Sequence, residues 1–116
     1  MIRSYLAGTA LALAALALPA HADTTPGTAI AQMMVLEPGD ASYKLFHGAV
    51  WIDADKATWN YRWGGAQCKG RELSDTSIQL LFAAFRAGDP VSFEYVVTEY
   101  KSKQFRCLTG FTISKG

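Results

Sequence analysis

The chain has 116 residues, with 11 Lys and Arg against 10 Asp and Glu, and a formal net charge of +1. This length fits one small domain. A protein that binds nucleic acid needs a basic face, so the balanced charge argues against a nucleic-acid partner.

The first 22 residues have the features of a secretory signal peptide. Arg3 supplies a positive charge, an apolar run rich in Leu and Ala spans residues 5–18, and Ala-His-Ala follows at 20–22. These are the charged start, the short apolar core and the cleavage site of a secretory signal. The apolar run is too short for a membrane span. We therefore expect a cleaved signal peptide at 1–22 and a periplasmic or secreted domain at 23–116, with no membrane span.

The expected mature domain contains segments typical of strands. Some are rich in β-branched and aromatic residues, and others alternate between apolar and polar residues. They predict five strands, at residues 28–36, 43–52, 57–63, 91–98 and 104–113. The first of these fits a buried strand or a short helix, and its length and the breaker at 37–40 favour the strand.

One helix is predicted between the third and fourth strands, over residues 75–87. Its apolar positions fall three and four residues apart and form one stripe: Ile78, Leu81, Phe82 and Phe85. Ser74 or Asp75 can cap the start, since either side chain can accept from free backbone N–H groups of the first turn. Gly88 and Pro90 end the helix.

The order of three strands, one helix and two strands limits the architecture. One helix cannot cover both faces of a sheet. A five-stranded barrel with a helix between its third and fourth strands is the OB arrangement. We therefore predict a mostly β fold with one α-helix, an OB-like barrel. An open antiparallel α+β sheet with one packed helix is the alternative.

The two cysteines, Cys68 and Cys107, predict a disulfide. An isolated pair in a small exported domain usually forms a bridge, and the chain has no C-x-x-C motif for thiol chemistry. The bridge would close a loop of 40 residues. In the chain-entropy model such a loop is worth roughly 4 kcal/mol of stability.

The sequence offers little support for catalysis, so we expect no enzyme activity, catalytic residue or cofactor. His47 is the only histidine after the signal and falls within a predicted strand, where packing is its usual role. A metal site needs several converging ligands, and we expect none. Asp53 and Asp55 fit a turn, because the glycine and the distal glutamate of a calcium loop are missing. A small hydrolase remains a hypothesis only if acidic side chains converge in a cleft.

Three aromatic residues alternate on one face of the third strand: Trp59, Tyr61 and Trp63. Such a face more often belongs to a core, but three large rings would crowd a small barrel. Flat apolar rings also stack on sugars. We therefore name these three residues as candidates for ligand or interface contact. Lys101, Lys103 and Arg106 are interpreted as a solvated hairpin tip.

Residues 68–95, CKGRELSDTSIQLLFAAFRAGDPVSFEY, combine a cysteine, a capped amphipathic helix, a glycine turn and an alternating strand. This succession resembles the binding subunits of AB5-type bacterial toxins, in the branch of pertussis-like and subtilase-cytotoxin-like subunits. The resemblance implies a secreted OB fold with disulfides and a ring of five subunits with the helices lining its pore. It also implies cell-surface glycans or glycoproteins as ligands and a toxin A subunit as partner.

Two functions therefore follow as expectations from the sequence. The first is an exported, non-enzymatic binding module, a homo-oligomer with a glycan or glycoprotein ligand. The alternative is a small periplasmic inhibitor or immunity protein that blocks a partner enzyme through a loop, at residues 37–42 or 99–103.

Overall fold

The computed structural model describes residues 22–116, which form six strands and one helix. The predicted signal peptide thus lies outside the described residues, except for its last position. The strands are β1 (Asp23–Thr24), β2 (Ile30–Val35), β3 (Gly48–Ile52), β4 (Asn60–Trp63), β5 (Val91–Tyr100) and β6 (Lys103–Ile113). The helix is α1 (Asp75–Ala87), and a short 3₁₀ turn covers Asp53–Asp55. The prediction of a mostly β fold with one helix is confirmed.

All six strands belong to one mixed sheet, in the order β1-β5-β6-β4-β3-β2. Neighbours pair antiparallel except β4 and β6, which run parallel and meet at Arg62 and Cys107. The two outermost strands, β1 and β2, are separated by only residues 25–29. So short a connection requires the sheet to curl, which brings its two ends toward each other.

The predicted five-stranded closed barrel is not what the strand pairing forms. Between the two ends of the sheet, the described residues show one isolated bridge, from Thr28 to Val91. The sixth strand, β1, comes from an N-terminal arm, residues 23–27, for which the sequence predicts no strand. That arm is fixed because Thr24 pairs with Glu94 and the Thr25 hydroxyl accepts from the Phe93 amide at 2.9 Å. The alternative, an open antiparallel α+β sheet with one packed helix, agrees in the unclosed sheet and the single helix but not in strand direction, because β4 and β6 are parallel.

The second predicted strand is shorter than expected, because residues 43–47 form turns instead of strand. The carbonyl of Ser42 accepts hydrogen bonds from the amides of Leu45 and Phe46. The Ser42 amide in turn donates to Asp40 Oδ1 at 2.8 Å. Such local bonds of Asp and Ser compete with strand pairing. His47 consequently lies in the loop before β3 and not within a strand.

Helix α1 has the predicted limits and caps, but a different inward face. The Ser74 hydroxyl accepts from the Ser77 amide, and Gly88 closes the helix in a left-handed conformation. Leu81 and Ala84 are buried, whereas Phe82 is 50% exposed. The buried face of α1 therefore includes Ala84 and not Phe82, which the sequence pattern places in it.

Two apolar clusters lie on opposite faces of the curled sheet. The larger lies between the sheet and α1, and Trp63, Phe93 and Leu81 are among its fully buried members. The smaller contains the disulfide, with Val96 and Phe105. Alternation along β5 places Phe93 in the larger cluster and Val96 in the smaller one, on opposite faces of the strand.

Candidate functional site

A cleft opens on the sheet between the start of β4 and the β5–β6 hairpin. The parallel strands β4 and β6 meet at Arg62 and Cys107, and the cleft lies on the N-terminal side of that contact. Its volume is about 350 Å³. Side chains from β4, β5, β6 and the residues just before β4 line it: Thr58, Trp59, Asn60, Arg62, Val97, Gln104, Phe105 and Arg106.

One wall of the cleft is an exposed tryptophan with an arginine stacked against it. Trp59 is 52% exposed, and the guanidinium carbon of Arg106 lies 4.4 Å from the centroid of its ring. A guanidinium over an aromatic face is attracted by the ring quadrupole. Lys56 and Ala57, both at φ 57°, form a left-handed turn that leads the chain into this position.

The floor of the cleft contains a half-buried arginine held between two rings. The guanidinium carbon of Arg62 lies 4.1 Å from the ring centroid of Phe46 and 5.0 Å from that of Phe105. Its Nε donates to Asn60 Oδ1 at 2.9 Å, and Nη1 donates to Gln67 Oε1. Burial lowers the pKa of Arg62 from its ordinary value, but a guanidinium stays charged. A guanidinium has five N–H donors, so these two hydrogen bonds leave three of them unused.

The cleft carries positive charge that no carboxylate within the described chain neutralises. Across residues 22–116, the one ion pair within 4.0 Å joins His47 and Glu72. Arg62 and Arg106 therefore have no acidic partner there. An indole, two guanidinium groups and the amides of Asn60 and Gln104 can stack on a flat apolar surface and donate hydrogen bonds to an anionic or hydroxylated ligand.

The three aromatic residues named from the sequence do not lie together at this site. Tyr61 and Trp63 are buried in the main core, 5% and 1% exposed, while Trp59 lies in the cleft. The strand alternation that places all three on one face applies from Asn60 onward, where β4 begins. Trp59 lies just before the strand, and its side chain is not buried in the core.

The Tyr61 ring is held in place by aromatic packing and by a hydrogen bond. It packs edge-on against Tyr95 at 5.1 Å between centroids, and its hydroxyl donates to Asp55 Oδ2 at 3.1 Å. Burial, together with the bond to Asp55, raises the pKa of Tyr61 to about 12. This ring is a structural element and not an exposed ligand contact.

Sequence reasoning missed Arg62 and interpreted Arg106 as part of a solvated tip. The available signal was the polar face of β4, where Asn60 and Arg62 alternate with buried aromatics. The rings that enclose Arg62, Phe46 and Phe105, are distant from each other in sequence. No local pattern therefore predicts their meeting.

The predicted disulfide between Cys68 and Cys107 is present, and both residues are fully buried. It joins the turn that follows β4 to the middle of β6. Because Cys107 is the residue paired with Arg62 across the two strands, the bridge lies directly beside the floor of the cleft.

A second cleft, of about 410 Å³, lies where α1 begins. His47 Nδ1 lies 2.7 Å from Glu72 Oε2, and the Tyr43 ring stacks on the imidazole at 3.9 Å. Of the described side chains that line this cleft, none is a serine, cysteine, threonine or lysine that the histidine could activate. The His47–Glu72 pair instead joins the loop before β3 to the loop before α1.

No group of three or more His, Cys, Asp or Glu side chains within residues 22–116 could hold a metal ion. In that same part of the chain, no helix has the length and apolarity to cross a bilayer.

Comparison of the chain with protein-family models, with curated proteins and with solved structures finds no match.

Proposed function

We propose that this protein is an exported, non-enzymatic binding module that takes a glycan, free or on a glycoprotein, into the Trp59 cleft. The observation that carries the proposal is the half-exposed Trp59 ring with Arg106 stacked against it. An exposed indole offers a flat apolar surface that stacks well on the apolar face of a sugar ring. The surrounding amides and guanidinium groups supply the hydrogen-bond donors that orient hydroxyl groups.

The charge of the cleft favours a saccharide with an acidic group. Arg62 and Arg106 both line the cleft, and no carboxylate within the described residues pairs with either. The guanidinium of Arg62 is fixed by two rings and two amide oxygens. A guanidinium held in one orientation loses less entropy when it forms paired hydrogen bonds to a carboxylate or sulfate.

The order of elements supports an OB-like assembly of the toxin-subunit kind. Strands β2, β3 and β4 form a meander, β4 pairs in parallel with β6, and α1 connects β4 to β5. An isolated bridge joins Thr28, ahead of β2, to Val91 at the start of β5, and this contact supports a barrel-like curl of the OB kind. On this proposal the subunit forms a pentameric ring that associates with a toxin A subunit.

A glycan array tests the binding proposal. The mature, oxidised protein is applied to neutral and acidic saccharides, beside the variant Arg106→Gln. We expect the wild type to bind acidic saccharides and the variant to lose most of that signal. Failure of the wild type to bind any saccharide would contradict the proposal. The native mass of the mature protein tests the ring separately, since a pentamer has five times the mass of the subunit.

The alternative function, inhibition of a partner enzyme, is favoured by the shape of the β5–β6 hairpin. Its tip at Lys101 and Ser102 is exposed, and both residues are held in left-handed conformations, at φ 49° and 66°. A rigid, exposed turn is a suitable element to insert into the site of an enzyme. A monomeric native mass, together with capture of an enzyme from periplasmic extract that the variant Lys101→Glu fails to capture, would favour this function.

A further inference from the structure

We infer that Gln67, held in place by the Cys68–Cys107 disulfide, is a positioning residue that fixes the guanidinium of Arg62 in the ligand cleft. Only the consequence of the inference, an effect on the affinity of the cleft for a ligand, rests on the proposed function. The geometry that carries it is independent of any ligand.

The contact between Gln67 and Arg62 is direct. Arg62 Nη1 donates to Gln67 Oε1, and Gln67 is itself buried, 9% exposed. Gln67 does not line the cleft, whereas Arg62 does. Gln67 therefore acts on a ligand through Arg62, because its amide oxygen fixes which guanidinium N–H groups remain free for the cleft.

The backbone of Gln67 is fixed from two sides. Its amide donates to the carbonyl of Leu45 at 3.0 Å, beside Phe46, whose ring stacks on Arg62. Its carbonyl accepts from the Thr98 hydroxyl on β5 at 2.8 Å. The turn that contains Gln67 thus links the loop before β3 to the hairpin.

The disulfide connects the turn that contains Gln67 to β6, the strand that pairs with β4 at Arg62. Cys68 follows Gln67 directly, and its partner Cys107 lies opposite Arg62 in the β4–β6 pair. Phe105, the second ring against Arg62, packs on the same buried disulfide cluster. Both the hydrogen-bond acceptor and one ring of the Arg62 site are therefore attached, within two residues, to the two ends of one covalent bond.

This arrangement explains why a buried bridge lies next to a surface cleft. A guanidinium on a flexible side chain loses rotamer entropy when it orders around an anion. With Gln67 and Phe105 in place, Arg62 is already ordered before a ligand arrives. Loss of either support should leave the charge in the cleft and lower the affinity for an anionic group.

Labelling of arginine with phenylglyoxal, followed by mass spectrometry of peptides, tests the positioning directly. Wild type is compared with Gln67→Ala and with the double variant Cys68→Ala, Cys107→Ala. We expect Arg62 to label roughly tenfold faster in both variants, the scale of one lost hydrogen bond to a charged group. Arg86, which is exposed on α1 and does not line the cleft, serves as the internal control.

A third variant, Gln67→Glu, separates positioning from simple packing. Its carboxylate should hold Arg62 at least as firmly, so the labelling of Arg62 should not rise. It should also compete with an anionic ligand, so binding of glucuronic acid should fall while the far-ultraviolet circular dichroism stays that of wild type. A merely structural role for Gln67 would not give this pairing of slow labelling with weak binding.

The outcomes distinguish this inference from the proposed function. An unchanged labelling rate of Arg62 in folded Gln67→Ala would overturn the inference, whatever saccharide binds. If the double variant fails to fold, Gln67→Ala decides alone. If wild type binds neither glucuronic acid nor another acidic saccharide, the proposed function fails, while faster labelling of Arg62 in Gln67→Ala would still support the positioning role.

Discussion

The guanidinium of Arg106 lies 4.4 Å from the ring centroid of Trp59, a residue that exposes half of its surface just before β4 begins. The arginine covers one region of the ring and leaves the rest open to the cleft. The pair combines a flat apolar surface with a positive charge, and this combination suits a saccharide that carries an acidic group.

The two tryptophans at the ends of the alternating segment should respond very differently to truncation. Trp63→Ala removes a fully buried ring from the main core and should lower the free energy of unfolding by about 3–5 kcal/mol. Trp59→Ala should cost less than about 1 kcal/mol, mainly the contact with Arg106. Urea titration of both variants measures the difference. Equal losses would mean that Trp59 belongs to the core and not to a binding surface.

Removal of the disulfide should destabilise the protein substantially. The bridge joins residues 39 positions apart, and its loss frees the unfolded chain, at a cost of about 2–5 kcal/mol in a small secreted domain. Thermal unfolding of the double variant Cys68→Ala, Cys107→Ala beside wild type provides the measurement. A melting temperature equal to that of wild type would contradict the expectation.

Two glycines in similar backbone conformations should differ sharply in their tolerance of alanine. Gly64 and Gly70 have φ of 72° and 76°, so both substitutions carry the cost of a left-handed residue, about 1–2 kcal/mol. At Gly64 a Cβ would also come within 2.3 Å of His47 Nδ1, whereas at Gly70 it would meet nothing within 4 Å. We expect Gly64→Ala to cost about 2 kcal/mol more than Gly70→Ala in urea unfolding.

The Gly70→Ala variant is the matched control for that comparison. If both variants lost the same stability, the close packing of Gly64 against the His47–Glu72 pair would not contribute to the free energy of unfolding.

The raised pKa of Tyr61 predicts that the protein loses stability at alkaline pH. Its pKa is raised from 10.0 to about 12 in the folded protein, first by burial and then by the bond to Asp55. The folded state therefore holds the phenolic proton more strongly than the unfolded state. This contribution is fully present below pH 10 and is lost as the pH rises toward 12. Urea unfolding at several alkaline pH values should show the decline, and Tyr61→Phe should show a smaller one. An equal decline in both would exclude Tyr61 as its source.

Local signals predicted the helix well, because its limits depend on residues near each other in sequence. Ser74 and Gly88 act within one turn of the helix ends. The exposure of Phe82 was not predictable in this way, since it depends on how α1 rotates against the sheet. Ala84 fills the inward position that the sequence pattern assigned to the larger side chain.

The sheet and the cleft depend on long-range pairing, and the sequence predicted them less completely. The arm at β1 shows no strand pattern, yet its hydrogen bonds to β5 fix it. Residues 43–47 have good strand propensity, but the hydrogen bonds of Asp40 and Ser42 hold this part of the chain in a turn. The enclosure of Arg62 requires Phe46 and Phe105 to meet across the fold, and neither is near Arg62 in sequence.

The most direct test of the central claim is calorimetric titration of the best saccharide from the glycan array into wild type and into Trp59→Ala. The two proteins differ at one exposed ring, and the variant should keep its fold. We predict that binding to the variant falls at least about tenfold, since truncation of a tryptophan that anchors an interface costs about 2 kcal/mol or more. Equal affinity in a folded Trp59→Ala variant would contradict the claim that this cleft is the binding site.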